Sequence, residues 1–447
     1  MRFPIAVKIA GTLLFFGGEG TLVKELESAI RSGGLAPQRL LRKITRREFG
    51  VSVLGGVIGT AASRLIGAPS AAAAGRDFTL VIIPDPQYLA ESCPDAGGRY
   101  YTSMMQWIVN NKDILLTSSK PPFAANIKAV IGVGDCVNAT TDHEFSNAEA
   151  GWRILDANSI AFTTPPGNHD YADFSKGITT RNGLGTQFRK GYFSAKSRSK
   201  VYGSGIDLGD GDMAHWVGSH DSTGANTAVK FVISGIRMLV LAMDFFAGND
   251  AWTWAHSTMM GHPDCECYIT THAWLTAWGT QYRRTDGYGP DFYSMPGAPY
   301  SNCAVESWNT VGVNAWPNLL AIFSGHDIFD PKRPAPGGVN SPAWYWQQVA
   351  VSSESKRRQT VQQVFANAQE LDHACSKSVS QATGAGQIAS VFLLSRRLAL
   401  GVLEGRMIST QSRNWFRSKS SAFPSGTSWS DSETLLFSVP FTGLQAS

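Results

Sequence analysis

Ala161-Phe162-Thr163-Thr164-Pro165-Pro166-Gly167-Asn168-His169-Asp170 is the stretch on which the reading of this chain turns. Its first four residues read as a short buried strand. Pro165-Pro166 stops that strand, because proline gives no donor to a sheet ladder. Gly-Asn-His-Asp then follows, four small or polar residues that make a poor core. Amide oxygen, imidazole and carboxylate are what hard or borderline divalent ions take as ligands.

The same grammar recurs on both sides. Upstream, residues 78–83 run into Pro84-Asp85-Pro86-Gln87, and residues 129–133 run into Gly134-Asp135-Cys136-Val137-Asn138. Downstream, residues 268–271 end at His272, and residues 319–323 end at Ser324-Gly325-His326-Asp327. Each run delivers Asp, Asn or His from the loop after a strand. That is how buried strands present functional side chains at their C-terminal edges. The glycines let the backbone turn sharply and come close to an ion or a phosphate. Taken singly these motifs are weak, since a lone strand-end histidine is usually a satisfied core residue. As an ordered set they point to one site.

The intervening sequence predicts helices at 101–111, 147–155 and 252–260. Residues 229–233 and 238–242 flank Ser234-Gly235, a hairpin signal. Strands alternating with helices predict an α/β layered fold. Residues 353–389 read as a helical stretch followed by a Ser/Gly-rich loop. Residues 391–394, 398–403 and 407–410 read as antiparallel strands, and a Ser-rich tail runs from residue 413 to a last strand. No repeat at solenoid spacing is present.

With these motifs in order, residues 78–330 resemble the calcineurin-like metallophosphoesterases. The resemblance implies a four-layered α/β/β/α sandwich with a C-terminal β-rich extension and a two-metal site at the strand ends. It implies that Asp85 binds metal 1, that Asp135 bridges both metals, and that Asn168, His272 and His326 bind metal 2. His169 would steady the scissile phosphate or protonate the leaving group, Asp170 would orient His169, and Asn138 would support the site from behind. The segment 244–272, with its Trp-containing helix, His262-Pro263-Asp264 and Thr271-His272, looks like that of secreted members. Two positions depart from the family pattern. Position 87 is Gln where His is usual, as in a branch whose first motif reads Pro-Asp-x-Gln, so Gln87 would ligate through its amide oxygen. Position 328 is Ile, which ligates nothing; Asp327 and Asp330 are the conceivable substitutes. The expectation is an asymmetric centre, with a tight metal 2 and an oxygen-rich metal 1. The cofactor would be one or two divalent ions, Mn, Fe, Zn or Ca.

Thr45-Arg46-Arg47-Glu48-Phe49, a glycine-rich apolar stretch at 51–62 and Ala68-Pro69-Ser70-Ala71-Ala72-Ala73-Ala74 have the three-part layout of a twin-arginine export signal. The apolar run is too short for a stable membrane anchor. Forty-four residues precede Thr45, which a misplaced start codon or a long pre-region explains equally. The expected division is 1–74 signal and pre-region, 75–352 metallophosphoesterase core and 353–447 extension and tail. The whole chain of 447 residues has a net charge of +4. Residues 1–74 hold ten of its 39 Lys and Arg and four of its 35 Asp and Glu, so the remaining 373 residues carry −2. The basic balance belongs to the leader, and nucleic-acid binding loses its electrostatic support.

All six cysteines lie beyond residue 74, as structural thiols or disulfides. The tryptophans near the fourth motif, Trp252, Trp254, Trp274 and Trp278, read first as packing and second as an aromatic rim. Lys356-Arg357-Arg358 reads as a solvated face. Arg181, Arg189, Arg283 and Arg284 are within conceivable reach of a phosphate, and Asn367-Ala368-Gln369 resembles a supporting motif of secreted relatives. The expected protein is therefore a Tat-exported, periplasmic or secreted hydrolase. It would cleave a small phosphomono- or phosphodiester with a metal-bound hydroxide, and its partner in export would be the Tat machinery. The alternative is a catalytically weakened relative, marked by Gln87 and Ile328, that binds a ligand in the cell envelope. A third reading is cleavage of a non-phosphate ester on the same fold.

Overall fold

Phe78, Leu80 and Ile82 fall in one hydrophobic core, and Val81 and Ile83 fall in another, so this strand is buried on both faces. In the computed structural model, the described residues are 76–91, 98–113, 126–172, 183–277, 279–327, 348–354, 360–367, 389–398, 402–409 and 435–440, with 5–9 and 12–16. The chain divides into a unit at 1–70 and a unit at 71–447. Within the first, β1 (Ile5–Ile9) and β2 (Thr12–Phe16) pair antiparallel.

The second unit is mixed α/β. Its strands are β3 (Phe78–Ile83), β4 (Ile127–Gly132), β5 (Ala161–Thr163), β6 (Ile206–Gly209), β7 (Asp212–Ser219), β8 (Thr227–Ile233), β9 (Ile236–Met243), β10 (Glu266–Thr271), β11 (Leu319–Ser324), β12 (Gln348–Glu354), β13 (Thr360–Ala366), β14 (Ser390–Arg397), β15 (Val402–Ser409) and β16 (Leu435–Pro440). One sheet has the order β12-β13-β11-β10-β9-β8-β7-β6, the other β16-β15-β14-β3-β4-β5. The pairs β9–β10, β10–β11, β11–β13, β3–β4 and β4–β5 are parallel, and the other pairs of the two sheets are antiparallel. Parallel strands bring their C-terminal ends to one edge, which is where every motif residue sits.

The sheets meet through both apolar and polar contacts. Leu80, Ile131, Val240, Tyr268 and Phe323 share one core. Thr270 Oγ1 of β10 donates to Gly132 O of β4 at 2.7 Å, and Arg396 of β14 pairs with Glu266 of β10 at 2.8 Å. On the outer face of the second sheet, the helix Arg99–Asn111 buries Tyr101, Met104, Met105 and Ile108, an i, i+3, i+4, i+7 stripe. The helix Asp142–Ala157 is capped by Thr141 Oγ1, which accepts the Glu144 N–H. The Ser234-Gly235 turn joins β8 to β9 with both residues at positive φ (50° and 79°), the geometry of a type I′ turn.

Three expectations change here. Residues 360–366, read as part of a helix, form strand β13. Of residues 398–403 and 407–410, read as two strands, 402–403 and 407–409 belong to the single strand β15, and 399–401 and 410 lie outside the described residues. The strands beyond residue 348 pair into both sheets, and the 352/353 boundary falls inside β12.

Candidate metal centre

Five sequence-selected residues meet around one imidazole. His272 follows β10 and is fully buried. Its Nδ1 lies 3.0 Å from Val133 O and 3.5 Å from Asp85 Oδ1. Its Nε2 lies 2.9 Å from Asn168 Oδ1, 3.2 Å from Asp135 Oδ2 and 3.2 Å from His326 Nδ1. So Asp85, Asp135 and Asn168 arrive from one sheet, and His272 and His326 from the other. Gln87 is also fully buried, in the helical turn Gln87–Ala90 after Asp85.

Both histidines are oriented by backbone. Val133 O takes the Nδ1 side of His272, and Tyr288 O stands 3.0 Å from His326 Nε2. A carbonyl can only accept, so each ring gives that nitrogen's hydrogen away and turns its other nitrogen toward the cluster, the arrangement found behind metal-ligating histidines. Phe245 packs edge-on against His326 with ring centroids 4.9 Å apart.

Three of these residues hold the backbone in a costly region. Asp85, Asp135 and His326 have φ of 26°, 50° and 75°. Non-glycine residues there cost about 1–3 kcal/mol each and persist where surrounding structure overrides them, commonly at functional sites. Two glycines make room for the carboxylates: a Cβ on Gly167 would stand 2.0 Å from Asp135 Oδ1, and one on Gly325 would stand 2.1 Å from Asp85 Oδ1.

The electrostatics follow from burial. Asp85 is pushed up to about 7, by desolvation first and by Asp135 beside it. Burial alone would raise Asp135 too, but His272 and His169 hold it below the usual carboxylate value. Burial would lower His272, yet Asp135 and Asp85 outweigh it and raise the ring to about 9. His326 is driven well down by burial and by His272, which keeps it neutral.

The donor set fits a divalent ion. Nε2 of one imidazole carries at most one hydrogen, so it cannot satisfy three polar neighbours by hydrogen bonding. Ligands about 2.0–2.1 Å from a common ion stand roughly 2.9 Å apart in octahedral and about 3.4 Å apart in tetrahedral geometry. The 2.9–3.2 Å separations around Nε2 fall in that interval. Asp85 Oδ1 is buried and accepts no hydrogen bond from the described residues.

The supporting residues differ from expectation. His169 Nδ1 lies 2.8 Å from Asn138 O, so that carbonyl orients the ring. Asp170 does not: its Oδ2 accepts the Gly167 and Cys136 N–H groups at 2.8 and 3.1 Å, clamping the two motif loops together. Burial and Asp135 push Asp170 up to about 8. Asp135 Oδ1 accepts the His169 N–H at 2.9 Å. Asn138 binds Glu91 Oε1 through its amide. Asp327 turns its Oδ2 to the Ala277 N–H at 2.7 Å, and Asn367 Nδ2 donates to Asp327 O at 3.0 Å. Arg284 is paired with Glu306 at 2.7 Å. Ile328, Asp330, Gln369, Trp278, Arg181 and residues 356–358 lie outside the described residues. Trp252 and Trp274 are buried against each other, as the packing reading expects. Sequence reasoning missed Tyr288, the Val133 carbonyl and the two glycine clearances. Only the glycines left a local signal.

The cysteines Cys136, Cys265, Cys267 and Cys303 are buried and unbridged. His262, Asp264 and Cys265 bring one ligand atom each within 4.8 Å of one another ahead of β10. Asp264 is engaged with Arg237 at 2.8 Å, and burial raises the Cys265 thiol to about 11, so it stays protonated and a poor ligand. Among the described residues, no helix is long and apolar enough to cross a membrane.

No family model matches the chain. It is 25% identical over 205 residues to the uncharacterized protein YvnB of Bacillus subtilis (strain 168), a match covering 46% of this chain and 13% of that protein's length. Among solved structures it is similar to a dimetal phosphatase from Danio rerio (TM-score 0.35, 11% identity, 74% of this chain and 96% of that one). It is also similar to the purple acid phosphatase PPD1 of yellow lupin, Lupinus luteus (TM-score 0.39, 10% identity, 76% and 53%). A third is the NAD nucleotidase of Haemophilus influenzae (TM-score 0.29, 8% identity, 71% and 47%).

Proposed function

We propose that this chain is an exported, metal-dependent phosphoesterase that hydrolyses a phosphomono- or phosphodiester. The observation that carries the reading is the crowding of Asn168 Oδ1, Asp135 Oδ2 and His326 Nδ1 around His272 Nε2. Asp135, Asn168, His272 and His326 would hold one divalent ion, and Asp85, Asp135 and Gln87 a second. Such ions supply charge neutralisation for the ester and acidification of water. The chain's own residues do the rest. Asp135 faces the cluster with Oδ2 while its Oδ1 fixes the backbone of His169. His169, held through Nδ1 by Asn138 O, would move a proton through Nε2 to the departing alcohol. The clamp made by Asp170 keeps the 135 and 168 loops in register.

The test is to load the full chain with Mn, Fe, Zn or Ca, then measure bound metal and hydrolysis of mono- and bis-nitrophenyl phosphate. Turnover with at least one metal is expected. A folded protein that binds metal and turns over neither ester would instead support the second reading, a ligand-binding relative. That reading draws on Gln87 and Ile328, the two departures from the family pattern in the sequence. Export is tested by fusing residues 1–74 to a reporter: Arg46→Lys with Arg47→Lys should hold the reporter in the cytoplasm.

A further inference from the structure

A cavity of about 310 Å³ opens beside the centre, behind Tyr171 and Asp244. That is the lower end of the range for small-molecule sites. It is tied closely to the histidines. Tyr171 lies two residues after His169, and its hydroxyl donates to Asp244 Oδ1 at 2.7 Å. Asp244 follows β9, and its backbone oxygen accepts a hydrogen bond from Thr271 Oγ1, of the residue before His272, at 3.2 Å. Phe245, next in the chain, packs on His272 and His326.

The lining has one sign of charge. Asp221, Asp244 and Asp250 face the cavity, and among the described residues no lysine or arginine does. Among the described residues His220 is the one basic side chain in the wall, 3.7 Å from Asp250. The N-terminus of the helix Asn249–Met260 reaches the wall at Gly248. Its partial positive charge, about half a unit, is small against three carboxylates. Asn226 is 5% exposed and its Oδ1 accepts the Asp244 N–H; no described partner takes its amide hydrogens. Tyr300, 71% exposed, also belongs to the cavity wall. Carboxylates beside tyrosines, with no lysine or arginine among the described residues of the wall, suit an ammonium group, through charge and cation–π contact. A second phosphate would be repelled.

We propose that this cavity is a subsite for an organic cation, the ammonium-bearing alcohol portion of the ester cleaved at the neighbouring centre. The cleavage half of this statement rests on the phosphoesterase reading; the cation half does not.

The test compares kcat/KM of the metal-loaded full chain for 2-aminoethyl phosphate, propyl phosphate and glycerol phosphate, near-equal in size. The aminoethyl ester should lead the propyl ester by roughly tenfold, and Asp221→Asn with Asp250→Asn should cut that ratio about fivefold or more. Both positions are exposed, and Asn keeps the oxygens that accept the Thr223 and Ala251 N–H groups, so folding is checked by an unchanged melting temperature. Equal rates for the aminoethyl and propyl esters would overturn the subsite while leaving the phosphoesterase. A lead for glycerol phosphate would overturn the cation in favour of hydroxyl recognition. If no ester is hydrolysed, ethanolammonium chloride is titrated by calorimetry. Binding that weakens in the double variant keeps the subsite and removes the esterase, and no binding removes the subsite.

Discussion

Gly325 and Asp85 meet so closely that a methyl group between them would stand 2.1 Å from Asp85 Oδ1. The two residues lie on different sheets, after β11 and β3, and the His326 N–H also donates to Asp85 Oδ2 at 2.6 Å. The glycine thus sets how near the sheet edges approach, and the carboxylate is placed by that approach.

Gly325→Ala should therefore displace Asp85, already at a positive φ, and lower metal affinity at least tenfold. Overpacking of this kind also costs about 1–3 kcal/mol of stability. Gly218→Ala is the control, because a Cβ there meets nothing within 4 Å. Metal content and urea midpoint are measured for both. Equal metal content in the two variants would show that Asp85 is not a ligand.

Asp135→Asn tests the shared ligand. It removes the charge facing His272 Nε2 but keeps an oxygen for the His169 N–H. Residues that merely support a metal ligand cost about 10–100-fold in affinity or activity when changed, so this one should cost at least that much. Bound metal and nitrophenyl phosphate turnover should fall together. Retention of both would refute the site assignment.

Arg396→Met addresses the core between the sheets. Arg396 and Glu266 are 1% and 3% exposed, paired at 2.8 Å, with Tyr268 hydroxyl bridging them. Removing one partner of a buried pair typically costs about 3–5 kcal/mol, because the other charge is stranded. Replacing both, Arg396→Met with Glu266→Met, should recover most of that loss. Equal urea midpoints for the single variant and the native chain would mean the pair is solvated.

The candidate site was legible in sequence because its residues are local, each one to five residues beyond a strand. The strand β13 was not. Val361, Val364 and Phe365 are spaced i, i+3, i+4, which is a helical period. Yet the segment lies between β11 and β12 and is buried from residue 361 to 366, so the alternation that marks a half-exposed strand is missing. The Tyr288 carbonyl behind His326 and the Tyr171–Asp244 bond join segments 38 and 73 residues apart, and no spacing rule reports such contacts. Asp170 illustrates a subtler miss. Its neighbour in sequence is His169, but its carboxylate is closer to two backbone amides that need an acceptor.

Metal uptake should release protons and weaken as pH falls. In the metal-free protein His272 titrates near 9, raised above its ordinary 6.5 by Asp135 and Asp85 against the effect of burial. An ion must displace that proton, so apparent affinity should rise by up to about tenfold per pH unit between 6 and 9. The metal-free fold has the opposite trend. Asp85 and Asp170 titrate near 7 and 8 in the folded chain, against an ordinary 3.8. All three folded values are raised, so the folded state binds more protons, and the stability from these groups is present at low pH and lost as pH rises. For the carboxyls that loss runs from about 4 to 8, and for His272 from about 6.5 to 9. Chelator-treated protein should melt lower at pH 9 than at pH 6, while the gap between loaded and stripped protein widens. Calorimetry in buffers of different ionisation enthalpy should find about one or more protons released per metal bound at pH 7. Uptake without proton release would place the ion away from His272.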